Sequence, residues 1–128
     1  MMLVDTSVVI DYVRGQDAKL AAHLPTVPVA ICGIVRAELL CGARDAKQRA
    51  DLMTLFATFN HLVIPDSIWD AVGDNLALLR SNGITVPFPD ASIATFGIEN
   101  NLEVRWRDPH FTTVQKVLTS LRLYQEPA

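Results

Sequence analysis

Four acidic residues stand where an α/β protein collects its reactive groups: Asp5, Glu38, Asp90 and Asp108. Asp5 and Asp108 each follow an apolar segment of the strand type, at its carboxyl end. Asp90 lies in the first turn of one predicted helix, and Glu38 lies inside another. Carboxylates that converge repel one another unless a cation neutralises them, and their oxygens suit Mg²⁺ or Mn²⁺. Because such ions activate water and neutralise phosphate oxygens, the predicted chemistry is metal-assisted hydrolysis of a phosphodiester.

Each acid alone also has a simpler interpretation. Aspartate is favoured at the N-cap of a helix, so Asp5, Asp90 and Asp108 each fit a capping role. Glu38 fits a solvated surface position. Convergence of the acids would favour the metal site over these simpler roles. Neither a Ser-His-Asp set nor a glycine-rich phosphate loop is visible in the sequence, so no other catalytic chemistry competes with it.

The elements that must position these acids follow from the alternation of short apolar runs with helical periodicity. This alternation predicts an α/β fold with a parallel sheet. The predicted strands are 2–4, 29–32, 62–64 and 102–106. The predicted helices are 6–13, 17–24, 34–41, 45–59, 66–80, 91–99 and 108–121. Because parallel strands end at one rim of a sheet, Asp5 and Asp108 should lie on the same rim.

Composition indicates one compact domain over residues 1–128, since half of the chain is hydrophobic and no linker or repeat interrupts it. No apolar run approaches the roughly 18–20 residues of a membrane span. Residues 1–11 contain two aspartates and lack a basic start, so a secretory signal is not expected. Cys32 and Cys41 have no metal-ligand spacing, and we interpret them as half-buried reduced thiols of a cytoplasmic protein. The net charge of −3 says little about partners, because the chain without the four acids carries +1.

Four motifs carry a family resemblance, in order and over nearly the whole chain: LVDTSVVID at 3–11, RAELLCGA at 36–43, PDASIA at 89–94 and RDPHF at 107–111. Each contains one of the four acids. Together they resemble the motifs of PIN-domain ribonucleases, in particular the VapC-type toxins of bacterial toxin–antitoxin pairs.

The resemblance implies a PIN-like fold, a central parallel sheet flanked by helices, and a Mg²⁺- or Mn²⁺-dependent endoribonuclease that hydrolyses RNA. It implies that Asp5, Glu38, Asp90 and Asp108 form the catalytic, metal-binding set. It also implies that Thr6 and Ser7 orient carboxylates through hydrogen bonds. A homodimer and a cognate antitoxin are the implied protein partners, and the apolar segments 21–24 and 52–59 are candidates for the antitoxin groove.

Two positions depart from the family pattern. Trp106 stands where a small hydroxyl residue or a histidine is often found, and it affects either substrate stacking or the packing of the strand end. His110 stands where a second acid often follows the fourth one, which leaves less carboxylate at the weaker metal position. His110 is a general acid, an outer metal ligand or simply a histidine at a helix start. Arg105, Arg107, Lys116 and Arg122 form either an RNA-binding edge or a solvated charged face.

Two other functions compete with the nuclease. One is a catalytically impaired PIN-like RNA-binding or scaffold module, against which the four retained acids argue. The other is a receiver-like signalling domain, which also has an acidic Mg²⁺ pocket but needs a lysine after a late strand. Lys19, Lys47 and Lys116 do not follow a predicted strand, so this second alternative is disfavoured.

Overall fold

Four short parallel strands form the centre of residues 1–127, the part of the chain that the computed structural model describes. They are β1 (Met2–Val4), β2 (Val29–Ile31), β3 (Asn60–His61) and β4 (Glu103–Arg105). Their order in the sheet is β3-β2-β1-β4, so the first and last strands of the chain are neighbours. Leu3 pairs with Ala30 on one side and with Val104 on the other. The carboxyl ends of β1 and β4 therefore share one rim.

Helices flank this sheet, as the α/β prediction requires. They are α1 (Thr6–Arg14), α2 (Ala18–His23), α3 (Gly33–Cys41), α4 (Ala46–Phe56), α5 (Asp66–Ser81), α6 (Phe88–Glu99) and α7 (His110–Gln115), with a short 3-10 helix at Leu24–Thr26. Among the described residues no helix has the length and apolar character needed to cross a membrane.

Local side-chain chemistry sets several helix ends. Asp5, Asp17 and Asp45 are the N-caps of α1, α2 and α4, and each carboxylate accepts the N–H three residues on. Gly15 ends α1 with a φ of 67°, a left-handed conformation that glycine adopts without steric cost.

The core lies around β1, β2 and α6. All three residues of β1 and of β2 are buried. In α6 every residue from Ala91 to Gly97 is buried, so this helix is covered on all sides instead of being amphipathic. Cys32 belongs to this core, whereas Cys41 is exposed. Both are free thiols, as expected, but neither is half-buried, so the expected burial was wrong.

The third strand was predicted at 62–64 but lies at Asn60–His61. Only the backbone of Leu62 continues the pairing, through an N–H bond of 2.9 Å to the Ile31 carbonyl. Both residues of β3 are exposed because it is the edge strand. Leu62 and Ile64 pack against the core from the loop before Pro65, which explains their apolar pattern.

Two predicted helices are shorter than expected. The helix predicted over 45–59 ends at Phe56, and the one predicted over 108–121 covers only His110–Gln115. Leu118 and Leu121 are buried, as the periodicity predicted, but from turns. The chain turns early because residues 122–124 run beside β4, where the Val104 N–H donates to Arg122 and the Val104 carbonyl accepts from Tyr124, both at 2.8 Å.

Candidate metal centre

The four predicted acids surround the shared rim of β1 and β4, and we call Asp5, Glu38, Asp90 and Asp108 the acidic rim. Asp5 follows β1 directly, and its backbone N–H donates to the Arg105 carbonyl at 3.2 Å, which extends the pairing of the two strands. Asp108 lies three residues beyond the end of β4. The prediction that Asp5 and Asp108 lie on one rim is therefore supported by the strand order.

Asp5 is the buried member, with only 4% of its surface exposed. Its Oδ1 accepts hydrogen bonds of 2.9 Å from the Val8 N–H and from the Ser7 hydroxyl. Burial raises the pKa of this carboxyl above its ordinary value, and the nearby charge of Asp90 adds to the rise. The bonds from Val8 and Ser7 offset that rise only in part.

Asp90 lies in the first turn of α6, where the helix dipole favours a negative charge. Its side chain is 18% exposed. Burial raises the pKa of Asp90, and a hydrogen bond from His110 acts against the rise. The charges of Asp108 and Glu38 raise this pKa further, which means that both carboxylates lie close enough to repel Asp90.

His110 joins the acids directly. Its Nδ1 lies 2.8 Å from Asp90 Oδ2 and 2.8 Å from Asp108 Oδ1. The His110 backbone N–H also donates to Asp108 Oδ1, at 2.9 Å. Asp90, Asp108 and His110 thus offer three ligand atoms within 4.8 Å of one another.

Glu38 is exposed on α3 and is tied to the rim by a hydroxyl. The Thr6 Oγ1–H donates to Glu38 Oε1 at 2.7 Å. Thr6 and Ser7 therefore hold one carboxylate each, Glu38 and Asp5, as the motif resemblance implied.

Sequence reasoning missed the role of two arginines. The guanidinium of Arg107 binds Asp11 at 3.0 Å, and Asp17 and Glu126 at 2.8 Å each. Arg105 is 1% exposed, makes two bonds to Glu126 and lies over the Tyr124 ring.

The burial of Arg105 contradicts both predicted interpretations of that residue, an RNA-binding edge and a solvated face, whereas Arg107 is partly exposed and held by three acids. The partners lie between 19 and 96 residues away in the chain, so no local pattern could reveal them. Trp106, between the two arginines, packs the strand end, because its Nε1–H donates to the Tyr124 carbonyl at 3.2 Å.

The donor set fits a hard divalent cation. Carboxylate oxygens dominate the acidic rim, and oxygen ligands are those that Mg²⁺ and Mn²⁺ prefer. Asp5 is buried and Asp90 half-buried beside like charges, which costs stability, and a bound cation would relieve this cost.

Comparison with solved structures finds the same fold in several proteins. The chain is similar to VapBC2 from Rickettsia felis, solved with a DNA fragment from its promoter, at 17% identity and a TM-score of 0.82 over 96% of each chain. It is similar to VapBC-1 from nontypeable Haemophilus influenzae at 18% identity and a TM-score of 0.81, again over 96% of each chain. A toxin–antitoxin complex from Klebsiella pneumoniae is 25% identical, with a TM-score of 0.67 over 85% of this chain and 88% of that one.

The amino-acid sequence matches a family model. No curated protein matches significantly. The family model described as PIN domain matches residues 2–117, which includes β1 to β4 and all four residues of the acidic rim. This match, over most of the chain and on the fold just described, shows that the protein belongs to the PIN domain family.

Proposed function

We propose that this protein is a metal-dependent endoribonuclease that hydrolyses RNA phosphodiester bonds and acts as the VapC-type toxin of a toxin–antitoxin pair. The observation that carries the proposal is the acidic rim. Asp5 is buried and Asp90 half-buried beside other carboxylates at the end of a parallel sheet, where ligands bind in open α/β folds. Carboxylates withdrawn from water beside like charges are costly to the fold unless they serve a cation.

Asp5, Glu38, Asp90 and Asp108 would hold Mg²⁺ or Mn²⁺. When bound, such an ion activates water and neutralises charge on the phosphate. The chain's own residues supply orientation. Ser7 and Val8 hold the Asp5 carboxylate, and Thr6 holds Glu38. The ion pairs of Arg107 with Asp11 and Asp17 anchor the segment that leads to Asp108 against α1 and the start of α2.

A groove on the surface supports an antitoxin partner. It encloses about 480 Å³ between α1, α3 and α4, with apolar walls from Ile10, Val13, Leu39, Leu52 and Leu55. Glu38 is also part of its lining, so the groove reaches the acidic rim. An apolar segment bound here would extend to the site. Of the two segments expected to form the groove, 52–59 contributes Leu52 and Leu55, whereas 21–24 does not line it.

The antitoxin is also supported by the proteins of similar fold, two of which are named VapBC and one a toxin–antitoxin complex.

For the homodimer, the support is an exposed aromatic pair. Trp69 and Phe88 stack at 6.3 Å and are 40% and 53% exposed. Such exposed apolar surface is typical of a protein contact. A toxin that cuts RNA acts in the cytoplasm, and we assign the protein there.

The test is cleavage of a labelled RNA pool across a Mg²⁺ and a Mn²⁺ series. The wild-type protein should cut the RNA at internal phosphodiester bonds, and only when a divalent metal ion is present. Asp90→Asn should lower the rate by about 10³-fold, because the ligand's charge contributes several kcal/mol through the ion. Asp74→Asn is the matched control, since Asp74 is an exposed aspartate of α5, and it should cleave at the wild-type rate.

Two outcomes would contradict the nuclease. Cleavage that persists in Asp90→Asn or in EDTA would indicate a contaminating enzyme. RNA binding without metal-dependent cleavage would favour the RNA-binding module in its place.

A further inference from the structure

One nitrogen of His110, Nδ1, lies against two carboxylates. Nδ1 carries at most one proton, so it aligns fully with one acceptor and can only share that proton with a second. Yet Nδ1 lies 2.8 Å from Asp90 Oδ2 and also 2.8 Å from Asp108 Oδ1. Asp108 Oδ1 already accepts the His110 backbone N–H. Nδ1 therefore faces two carboxylate oxygens at hydrogen-bond distance with at most one proton between them.

The spacing matches that of ligand atoms around one cation. In an octahedron with bonds of about 2.1 Å, neighbouring ligand atoms lie about 3.0 Å apart. The two distances from Nδ1, 2.8 Å each, come within a few tenths of an ångström of that edge length. Nδ1, Asp90 Oδ2 and Asp108 Oδ1 can thus face a shared ion after a small adjustment.

We infer that His110 is itself a metal ligand, through Nδ1, and that it makes the Asp90–Asp108 side of the site selective for Mn²⁺ over Mg²⁺. The inference rests on the metal-dependent function proposed above. Mg²⁺ favours oxygen ligands and retains its waters, whereas imidazole nitrogen favours transition-metal ions. A histidine nitrogen beside the two carboxylates therefore favours Mn²⁺ as the bound ion.

The first experiment measures metal binding to the full-length chain by calorimetry, with Mn²⁺ and Mg²⁺ in separate titrations. His110→Ala should weaken Mn²⁺ binding by about tenfold or more, as loss of a supporting group at a metal site does. Mg²⁺ binding should change much less. His61→Ala is the matched control, because His61 is an exposed histidine on β3, and its two affinities should equal those of the wild type. His110→Asp should move the preference towards Mg²⁺.

The second experiment needs no substitution at His110. Pulsed electron paramagnetic resonance of Mn²⁺ bound to the wild-type protein should show modulation from one ¹⁴N nucleus. Labelling the histidines with ¹⁵N should replace that modulation with the ¹⁵N pattern. The ¹⁴N signal should persist in unlabelled His61→Ala.

The outcomes separate the two proposals. Bound Mn²⁺ without a histidine nitrogen, or a folded His110→Ala protein with unchanged selectivity, overturns the ligand role and leaves the nuclease proposal standing. The same result with slower cleavage in His110→Ala would indicate a general acid that acts through Nε2. A wild-type protein that binds neither ion overturns both proposals.

Discussion

Asp5 combines two roles that act in opposite directions on its ionisation. As an N-cap it accepts the Val8 N–H, which favours the carboxylate. Burial and the charge of Asp90 favour the neutral acid, and burial is the largest cause of the raised pKa. A folded-state pKa above the unfolded value means that stability from this group is lost as pH rises through the folded pKa. At neutral pH, without metal, Asp5 therefore costs stability.

We expect Asp5→Asn to abolish RNA cleavage and to raise the melting temperature of the metal-free protein at pH 7, by about 2–5 °C. The gain should shrink as pH falls towards about 3.9, the ordinary pKa of aspartate, where the charge is lost in both states. Circular dichroism melts in EDTA at several pH values measure this. Asp45→Asn is the control, because Asp45 caps α4 in the same way but is exposed, and asparagine caps equally well. A melting temperature that falls in Asp5→Asn, or cleavage at the wild-type rate, would contradict the assignment.

At the level of elements, α6 connects the acids to the sheet. Its first turn carries Asp90, and its last turns pack on β4, which leads to Asp108. Helix α6 comes close to β4 at Gly97. A Cβ there would lie 2.5 Å from Val104 Cγ2 and 3.3 Å from the Leu102 carbonyl oxygen. Because Val104 is fully buried, it has little room to move.

Gly97→Ala should destabilise the protein by about 1–3 kcal/mol, the usual cost of overpacking a core. By pushing β4 away from α6, it should also lower cleavage. Urea unfolding measures the first effect. Gly73→Ala is the matched control in α5, since nothing lies within 4 Å of its Cβ position. There alanine should stabilise by up to about 1 kcal/mol through helix propensity. Equal stability of the two variants would contradict the close packing of α6 on β4.

At the scale of the whole molecule, the groove and the acidic rim meet at Glu38, which lines one and belongs to the other. A partner seated in the groove would therefore lie against the proposed nuclease site. Binding of a partner there would then also inhibit the proposed nuclease. A substitution in the groove away from the acids should weaken partner binding and leave cleavage intact.

Val13→Glu should leave cleavage intact but weaken binding of the proposed antitoxin by about 10²-fold or more, because it places a charge in an apolar groove. The measurement is bacterial growth when the protein is expressed together with a candidate antitoxin. Val13→Glu should remain toxic under co-expression, whereas Val63→Glu should be neutralised, since Val63 is 81% exposed and does not line the groove. Equal neutralisation of both variants would mean that the partner binds elsewhere.

Much of the fold could be predicted because its signals are local. The alternation of apolar runs and helical periodicity gave the α/β class and the parallel sheet. The predictions failed where tertiary pairing overrode a local pattern. Leu62 and Ile64 are apolar because they pack on the core from a loop, and the last helix stops at Gln115 because the chain must return beside β4.

In the candidate site, too, local features could be predicted from the sequence and long-range contacts could not. The sequence alone determined which acids follow strands, the capping contact of Asp5 with Val8 and the order of the four motifs. Each of these features can be recognised from neighbouring residues or from position along the chain. Only the tertiary structure decided that His110 lies between Asp90 and Asp108, and that Arg107 binds Asp11, Asp17 and Glu126. Those contacts join residues up to 96 positions apart. They exist because β4 pairs with β1, and strand order is set by burial of the whole core, which no local pattern encodes.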